Sequence, residues 1–478
     1  LNILEKLKEK GYDTVPAEFY GWIDTWKSWY DGNVPDFHNY RVFNGQQTVQ
    51  CTRYTLGMGK KVAEDWANLL LNEKVKITLE GKREQEFFNS VCRANNFEVK
   101  ANEMQEMKAG LGTVAYVPRV TNVQFGGFIG KIGRLLGIGR TAIKIDYVTA
   151  QNIFPLSWEN GQVYECAFTS NVVVKGEKYL YLQMHRVGDD GNYIIENSLY
   201  RDNNGGLSEV SIRTVPRFER VAPVVYTGSP ERQFVIDRLN IANNYDYTLP
   251  MGIPAFANAI DQMKGVDIAY DSYVNEFVLG KKRIMIQPGA TKTIGGKPVF
   301  DPHDVTFYVF PEDIKDGNLI EPIDMALRTA EHNAGLQDML NALSSRCGFG
   351  ENHYRFDNGS VATATQVISE NSTMFRTIKK HEIILRDVLK ELAQIILRLG
   401  NSVLHMGLDE DVEISVDFDD SIIEDKQQDF SRDMQLLNAD IMNAWEFRAK
   451  WMNEDEDTAK ASLPGMEDMT DEEQDEIE

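Results

Sequence analysis

Residues 361–399 read VATATQVISENSTMFRTIKKHEIILRDVLKELAQIILRL, with no proline and no glycine. Apolar residues recur on a 4-3 rhythm at Ala364, Ile368, Phe375, Ile378, Leu385, Leu389, Leu392, Ile396 and Leu399, which predicts one helix. Asn371 and Glu382 interrupt the stripe. Asp357-Asn358-Gly359-Ser360 forms a turn cluster ahead of it, and Thr363 with Gln366 has the spacing of a capping box. Gly400-Asn401 predicts its end. At the α-helical rise the element is about 58 Å long, well beyond an ordinary helix of roughly 20 residues. A helix of that length packs against several neighbours, some of them in other subunits. Asn371 and Glu382 are then either contacts between adjacent long helices or solvent-facing positions.

Immediately upstream, Cys347–Ser360 is a loop rich in glycine and asparagine that contains Asn352, His353, Tyr354 and Arg355. Before it, Pro322 opens a predicted helix over Ile323–Ser345. A short β module precedes that helix, with strands at Arg283–Gln287 and Val305–Phe310 and turns at Gly295-Gly296 and Asp316-Gly317-Asn318. A further helix is predicted over Ala255–Leu279, striped by Phe256, Ile260, Met263, Tyr270, Val274 and Phe277, with Asp267 as the exception. Gly280 ends it, and Lys281-Lys282-Arg283 complement its dipole. Two helices flanking a small β module describe a stalk with a tip.

The first hundred residues read as mainly helical. Phe19, Trp22, Ile23, Trp26, Trp29 and Tyr30 share one helical face, which is read as core. Helices follow at about Leu56–Leu71, Glu84–Asn95 and Met104–Leu111, with a strand over Val75–Leu79. From Gly112 to about Val225 the period changes to two, and strands are predicted at Thr113–Val120, Thr141–Val148, Val163–Phe168, Tyr179–His185, Tyr193–Leu199 and Ser208–Ile212. Hairpin signals at 188–191 and 203–206 make this region mostly antiparallel. The class is therefore α+β.

A chain of 478 residues suffices for several domains. Its net charge is −23, and 453–478 alone hold twelve acids against Lys460. Such a surface argues against tight, nonspecific DNA binding, which needs lysine and arginine against phosphates. It is read first as a source of solubility, and it does not exclude a protein that lets DNA slide past without sticking. Cys51, Cys92, Cys166 and Cys347 form no CxxC pair, so neither a metal site nor a disulfide framework is expected. The charged start, Leu1–Lys6, is not expected to be a signal peptide. No stretch has the ~18 consecutive apolar residues of a membrane span.

Catalytic signatures are missing. The seven histidines are scattered, and His381-Glu382 lacks a second zinc-binding histidine. The glycine-rich run 126–139 superficially resembles a phosphate loop, but its spacing is one short and Ile132 replaces the hydroxyl residue. Asp189-Asp190 and Asp419-Asp420 read as turn and strand-end carboxylates rather than ligands. No enzyme and no cofactor is expected. On the residues alone, an oligomeric scaffold built on the long helix and a nucleic-acid enzyme stay open as alternatives.

The run Ala257-Asn258-Ala259-Ile260-Asp261, then Tyr270-Asp271-Ser272, Glu276-Phe277 and Gly280-Lys281-Lys282-Arg283, then Thr363–Val367 and Ser369–Ser372, resembles the portal proteins of tailed double-stranded-DNA bacteriophages. The similarity is to the type of siphoviruses and prophages of Gram-positive bacteria, and the Trp22/Trp26/Trp29 helix and Ile153–Leu156 fit it too. The resemblance implies a homo-oligomeric ring, usually of twelve subunits, at one capsid vertex of the virion. Double-stranded DNA is packaged through its channel by the terminase large subunit and is later ejected. The head-completion adaptor and the major capsid and scaffolding proteins are further implied partners, with no membrane involved.

The resemblance also implies a division of the chain. Residues 1–253 would be the wing, helical over 1–111 and mostly β over 112–235. Residues 254–280 and 322–346 would be the stem helices, and 281–321 a small α/β clip. Lys281, Lys282, Arg283, Lys292 and Lys297 are its expected contacts with terminase or adaptor. Residues 347–360 would be the tunnel loop, with Asn352, His353, Tyr354 and Arg355 facing DNA. Residues 361–400 would be a long, kinked helix joining wing to crown, with Asn371, Phe375 and Glu382 as contacts between subunits. Residues 401–453 would complete wing and crown, and 454–478 would be an acidic tail expected to be disordered.

Overall fold

The computed structural model describes residues 2–43, 45–72, 75–121, 142–203, 206–219, 221–281, 283–286, 307–309, 320–323, 326–356, 364–418, 426–439, 441–452, 454 and 456–462. The glycine-rich run 126–139, Asp419-Asp420 and the tail beyond 462 lie outside them. Two compact units form, one from 1–362 with 372–418 and one from 363–371 with 419–478.

The larger unit opens with helices α1 (Asn2–Glu9), α2 (Ala17–Tyr30) and α3 (Pro35–His38), a ribbon of β1 (Asn39–Phe43) and β2 (Thr48–Thr52), then α4 (Met58–Leu70), β3 (Lys76–Leu79), α5 (Lys82–Ala94) and α6 (Phe97–Leu111). The aromatic stripe of α2 is core: Phe19, Tyr20, Ile23, Trp26 and Trp29 are buried, while Trp22 is partly exposed. Tyr20 stacks on Phe154 at 5.1 Å and donates its hydroxyl to the Ile153 carbonyl at 2.9 Å.

The β region follows: β4 (Thr113–Thr121), β5 (Ala142–Thr149), β6 (Ile153–Glu159), β7 (Gln162–Val174), β8 (Glu177–Val187), β9 (Tyr193–Asn203), β10 (Gly206–Val210), β11 (Val224–Tyr226) and β12 (Val235–Arg238). It makes an antiparallel six-stranded sheet in the order β10-β9-β8-β7-β6, with β11 beside β9, and a three-stranded sheet β12-β4-β5. The turn at 188–191 is an Asx turn, since Asp190 accepts from the Asn192 backbone and side-chain nitrogens at 3.1 and 2.8 Å.

A buried ion pair fastens this sheet to the helices. Lys108 of α6 donates to both oxygens of Asp237 on β12 at 3.0 and 3.1 Å, and Gln105 donates to the same carboxylate at 2.9 Å. Both charged residues are fully buried. Burial lowers the Lys108 pKa against the pull of Asp237.

Next come α7 (Ile260–Leu279), β13 (Arg283–Ile286), β14 (Phe307–Val309), β15 (Ile320–Ile323) and α8 (Thr329–Arg346). The sequence-based helix over Ala255–Leu279 starts later, after a 3-10 turn at Ala257–Ala259. The helix placed over Ile323–Ser345 also starts later, at Thr329, because 320–323 instead joins β13 as an antiparallel edge strand. Pro322 is tolerated there, as a strand edge needs no donor.

The long helix α9 (Ala364–Ser402) runs unbroken through Gly400. A glycine fits that position because a Cβ would lie 2.8 Å from the Phe87 ring. Ile378, Leu385, Leu389, Leu392, Ile396 and Leu399 of the anticipated stripe are buried. Strand β16 (Ile414–Asp417) then pairs with β3.

In the smaller unit, α10 (Lys426–Asn438) and α11 (Ala444–Met452) are joined through Phe430, Phe447 and Trp451, and Lys460 of α12 (Glu456–Ala461) lies 4.5 Å from the Trp445 ring centre of α11. Lys450 pairs there with Asp433 at 2.6 Å.

Candidate functional site

Helices α7 and α8 lie side by side and antiparallel, with Gly265 of one against Met339 of the other. At the end nearest the small sheet, Glu276 accepts from the Arg328 backbone nitrogen at 3.1 Å and from its guanidinium at 3.0 Å. His332 Nε2 lies 3.3 Å from the same carboxylate. The Arg328 bonds, aided by His332, hold the Glu276 carboxyl down to about 2. The carboxylate thereby caps the first turn of α8, where helix N–H groups lack partners. Phe277, Val278, Leu279 and Leu327 are exposed at this same end, and Ile268 and Met339 further along.

At the far end of α8 the chain turns into the loop 347–356. Gly348 and Gly350 both take left-handed backbone conformations, with φ of 90° and 93°. A side chain at Gly348 would meet Thr377 of α9 and Trp66 of α4. Between the glycines, Phe349 is driven inward and stacks on Trp66 at 4.8 Å. Trp66 Nε1 donates to the Cys347 carbonyl at 3.1 Å, and its ring meets the buried His381 of α9 edge-on. The loop is thus pinned to α4 and α9.

The four loop residues singled out from sequence do not share one orientation. His353 stacks face to face on Phe349 at 4.3 Å, with Nε2 3.6 Å from Asp65, and remains partly exposed. Burial of Asp65 is outweighed by His353 and Lys61, so its carboxyl sits below the usual range. Tyr354 is buried, its ring edge-on to both Phe349 and His353. Its amide donates to Ser344 Oγ at 3.3 Å, and its carbonyl accepts from Gln337 at 2.8 Å. Burial, reinforced by the Asp65 charge, pushes its phenol up. Asn352 takes a left-handed turn at φ 63°, and its carbonyl accepts from Arg355 Nε at 3.2 Å. Arg355 is exposed. Of the four, Tyr354 therefore does not present its side chain outward.

Of the basic residues assigned to the tip, Lys281 is exposed. Arg283 opens β13 with its side chain outside the described residues, as are Lys282, Lys292 and Lys297 altogether. On α9, the side chain of Asn371 is outside them too. Phe375 is partly buried, with Lys379 Nζ 5.5 Å from its ring centre. Glu382 is neither solvent-facing nor presented outward: it is buried in its own chain and pairs with Lys379 at 3.1 Å. Sequence reasoning did not find Trp66, Phe349, Asp65 and Gln337 as the loop's anchors. The local signal for them was the glycine pair around Phe349.

Helices α7 and α8 thus pair antiparallel, with a small sheet between them in the chain and a pinned loop after them. The whole-sequence comparison accords with this. Residues 13–478 match the family model described as phage portal protein, SPP1 Gp6-like. The chain belongs to that family. No curated protein matches it. It is a phage portal protein, a subunit of the channel at a capsid vertex through which DNA is packaged. Portal proteins are structural components that assemble as homo-oligomeric rings. Among the described residues, no portal helix is long and apolar enough to cross a membrane.

Proposed function

We propose that twelve copies of this portal chain form the ring, with α7 and α8 as the stem and residues 281–321 as the clip. In this reading the terminase large subunit docks on the clip during packaging, and the head-completion adaptor replaces it before ejection. Residues 347–360 form the tunnel loop. Its outward residues, His353 and Arg355, touch the DNA backbone as it passes, while Phe375 lies at the contact between neighbouring long helices. The observation that carries this reading is the antiparallel pair α7/α8, with a small sheet between them in the chain and a pinned loop after them, in a chain of the portal family.

The proposed mechanism is one of weak, repeated contact. A conduit must hold DNA at many phases without stalling it. The net charge of −23 keeps phosphates from adhering, and a few loop contacts act without regard to sequence and weaken with salt.

Because Tyr354 is a packing residue, replacing Asn352–Arg355 wholesale with Gly/Ser disturbs both packing and DNA contact. The sharper variant is His353→Ala with Arg355→Ala. Rings should assemble, with twelve subunits by mass photometry and class-averaged images, while the DNA packaged per head falls. Wild-type packaging by both variants would remove the loop from the mechanism.

A further inference from the structure

The ribbon β1–β2 pairs with no other strand among the described residues. Val42 faces Val49 across it, and Phe43 faces Thr48. Neighbouring residues of a strand point to opposite faces, so the valine pair lies on one side and Phe43 on the other. All three are exposed, Phe43 at 67 %. A two-stranded ribbon with neither face covered is marginal on its own.

Its base, by contrast, is firmly built. Asp267 of α7, the polar exception in that helix's stripe, is buried and accepts from the Leu56 amide at 2.9 Å and the Thr55 hydroxyl at 3.1 Å. The buried His38 reaches the same carboxylate at 3.1 Å. One turn further along α7, Asp271 accepts from the Tyr54 amide at 2.9 Å. The two ends of the ribbon are thus anchored on the stem helix, which fixes its direction before any partner arrives. Preorganisation of this kind lowers the entropic cost of binding.

We propose that this ribbon is an arm that docks on a neighbouring copy of the chain, which covers Val42, Val49 and Phe43. Charge selects the occupant. Residues 39–53 contain Arg41 and Arg53 and no acid, whereas the chain as a whole carries −23. An acid-free arm on an acidic protein is complementary to another copy of that protein. The exposed apolar groups favour a protein surface over DNA, since a phosphate gains nothing from a valine pair. The inference rests on the ring reading above.

The test places the photoreactive p-benzoylphenylalanine at position 43 of the full chain. Rings are assembled from an equal mixture of light- and heavy-nitrogen chains, irradiated, and examined by mass spectrometry. Mixed-isotope peptide pairs found only in the ring fraction are expected. Rings that yield only same-isotope pairs, or only links to DNA or to another virion protein in packaged heads, overturn the arm and leave the ring standing. Absence of rings from the wild-type chain overturns both. In parallel, Val42→Ser, Phe43→Ser and Val49→Ser together should leave the melting temperature of the unassembled chain unchanged. The concentration needed for half-assembly should rise about tenfold or more. An unchanged assembly midpoint would also sink the proposal.

Discussion

The helical and β body around Lys108–Asp237 and the stem pair α7/α8 are built on opposite terms. In the centre of the body, Trp26, Trp66, Tyr116 and Phe234 are fully buried, and even the charged pair there is satisfied internally. In the stem, Ile268, Phe277, Val278, Leu279, Leu327 and Met339 face outward. Clustered apolar exposure of this sort marks an interaction surface. The core of the body around Lys108–Asp237 is closed within one chain, whereas α7 and α8 leave an apolar face uncovered, which the ring reading proposed above would place against neighbours. Mutations in the two should separate cleanly, with stability changing in one and assembly in the other.

The largest effect is expected at the buried pair. Asp237→Ala strands the Lys108 ammonium among apolar groups and Tyr116, and should cost about 3–5 kcal/mol in urea unfolding of the isolated chain. Lys108→Met with Asp237→Leu removes both charges and should cost much less. A single substitution as mild as the double would mean that the body is not the closed core described above.

Next comes acid sensitivity of the same body. Burial holds His185 neutral, with its pKa lowered to about 3 and neither ring nitrogen hydrogen-bonded. Burial also lowers His381 to about 3, with Lys108 adding to the effect. Unfolded, each returns to 6.5. Between these values the unfolded chain binds more protons. Stability therefore falls as pH drops from about 6.5 towards 3, by up to about 1.4 kcal/mol per pH unit and per group. Replacing His185 by Phe, in its surround of Phe168 and Phe234, should flatten that slope by roughly half. An unchanged slope in pH-dependent unfolding would show that these imidazoles do not govern it.

The same contrast explains what was legible in the sequence. Helices such as α2 and α9 write their buried face into a local period, so Trp26 and Leu389 could be placed without a structure. The stripe read in α7 is not its buried face, since Met263, Val266, Asp267 and Asp271 are buried there and Phe277 is exposed. The ribbon β1–β2 could not be placed: NYRV and TVQCT do alternate, but over only four or five residues, and neither face is fully buried. Asp267 reads as a flaw in a stripe until His38, Thr55 and Leu56 arrive from more than 200 residues away. Tyr354 reads as an exposed aromatic in a glycine-rich loop. It is turned inward next to Phe349, which stacks on Trp66 of a helix far earlier in the chain. Contacts between distant segments leave no periodic trace in either one.

On the stem itself, Phe277→Ser with Leu279→Ser should change the stability of the unassembled chain by no more than about 0.5 kcal/mol, as expected for exposed sites. Ring formation should nonetheless fall. Loss of stability without loss of rings would reverse the distinction between body and stem.

The smallest and most local effect is expected at Glu276, the group that ties α7 to the start of α8. Its carboxyl is held at about 2 against an ordinary 4.5 because the charged form accepts from Arg328 and neighbours His332. A lowered carboxyl pKa means that the clamp is fully present above about 4.5 and is lost as pH falls through 2. Hydrogen exchange at the amides of 328–332 should therefore show protection that declines across that window, while amides in the middle of α8 remain protected. Glu276→Gln keeps the shape and one acceptor oxygen but removes the charge. It should show reduced protection already at neutral pH, with no further decline attributable to position 276. If the variant kept the wild-type profile, the stem end would be held by helix packing alone, and the exposed Phe277–Leu279 and Leu327 would owe their position to the helices rather than to the clamp.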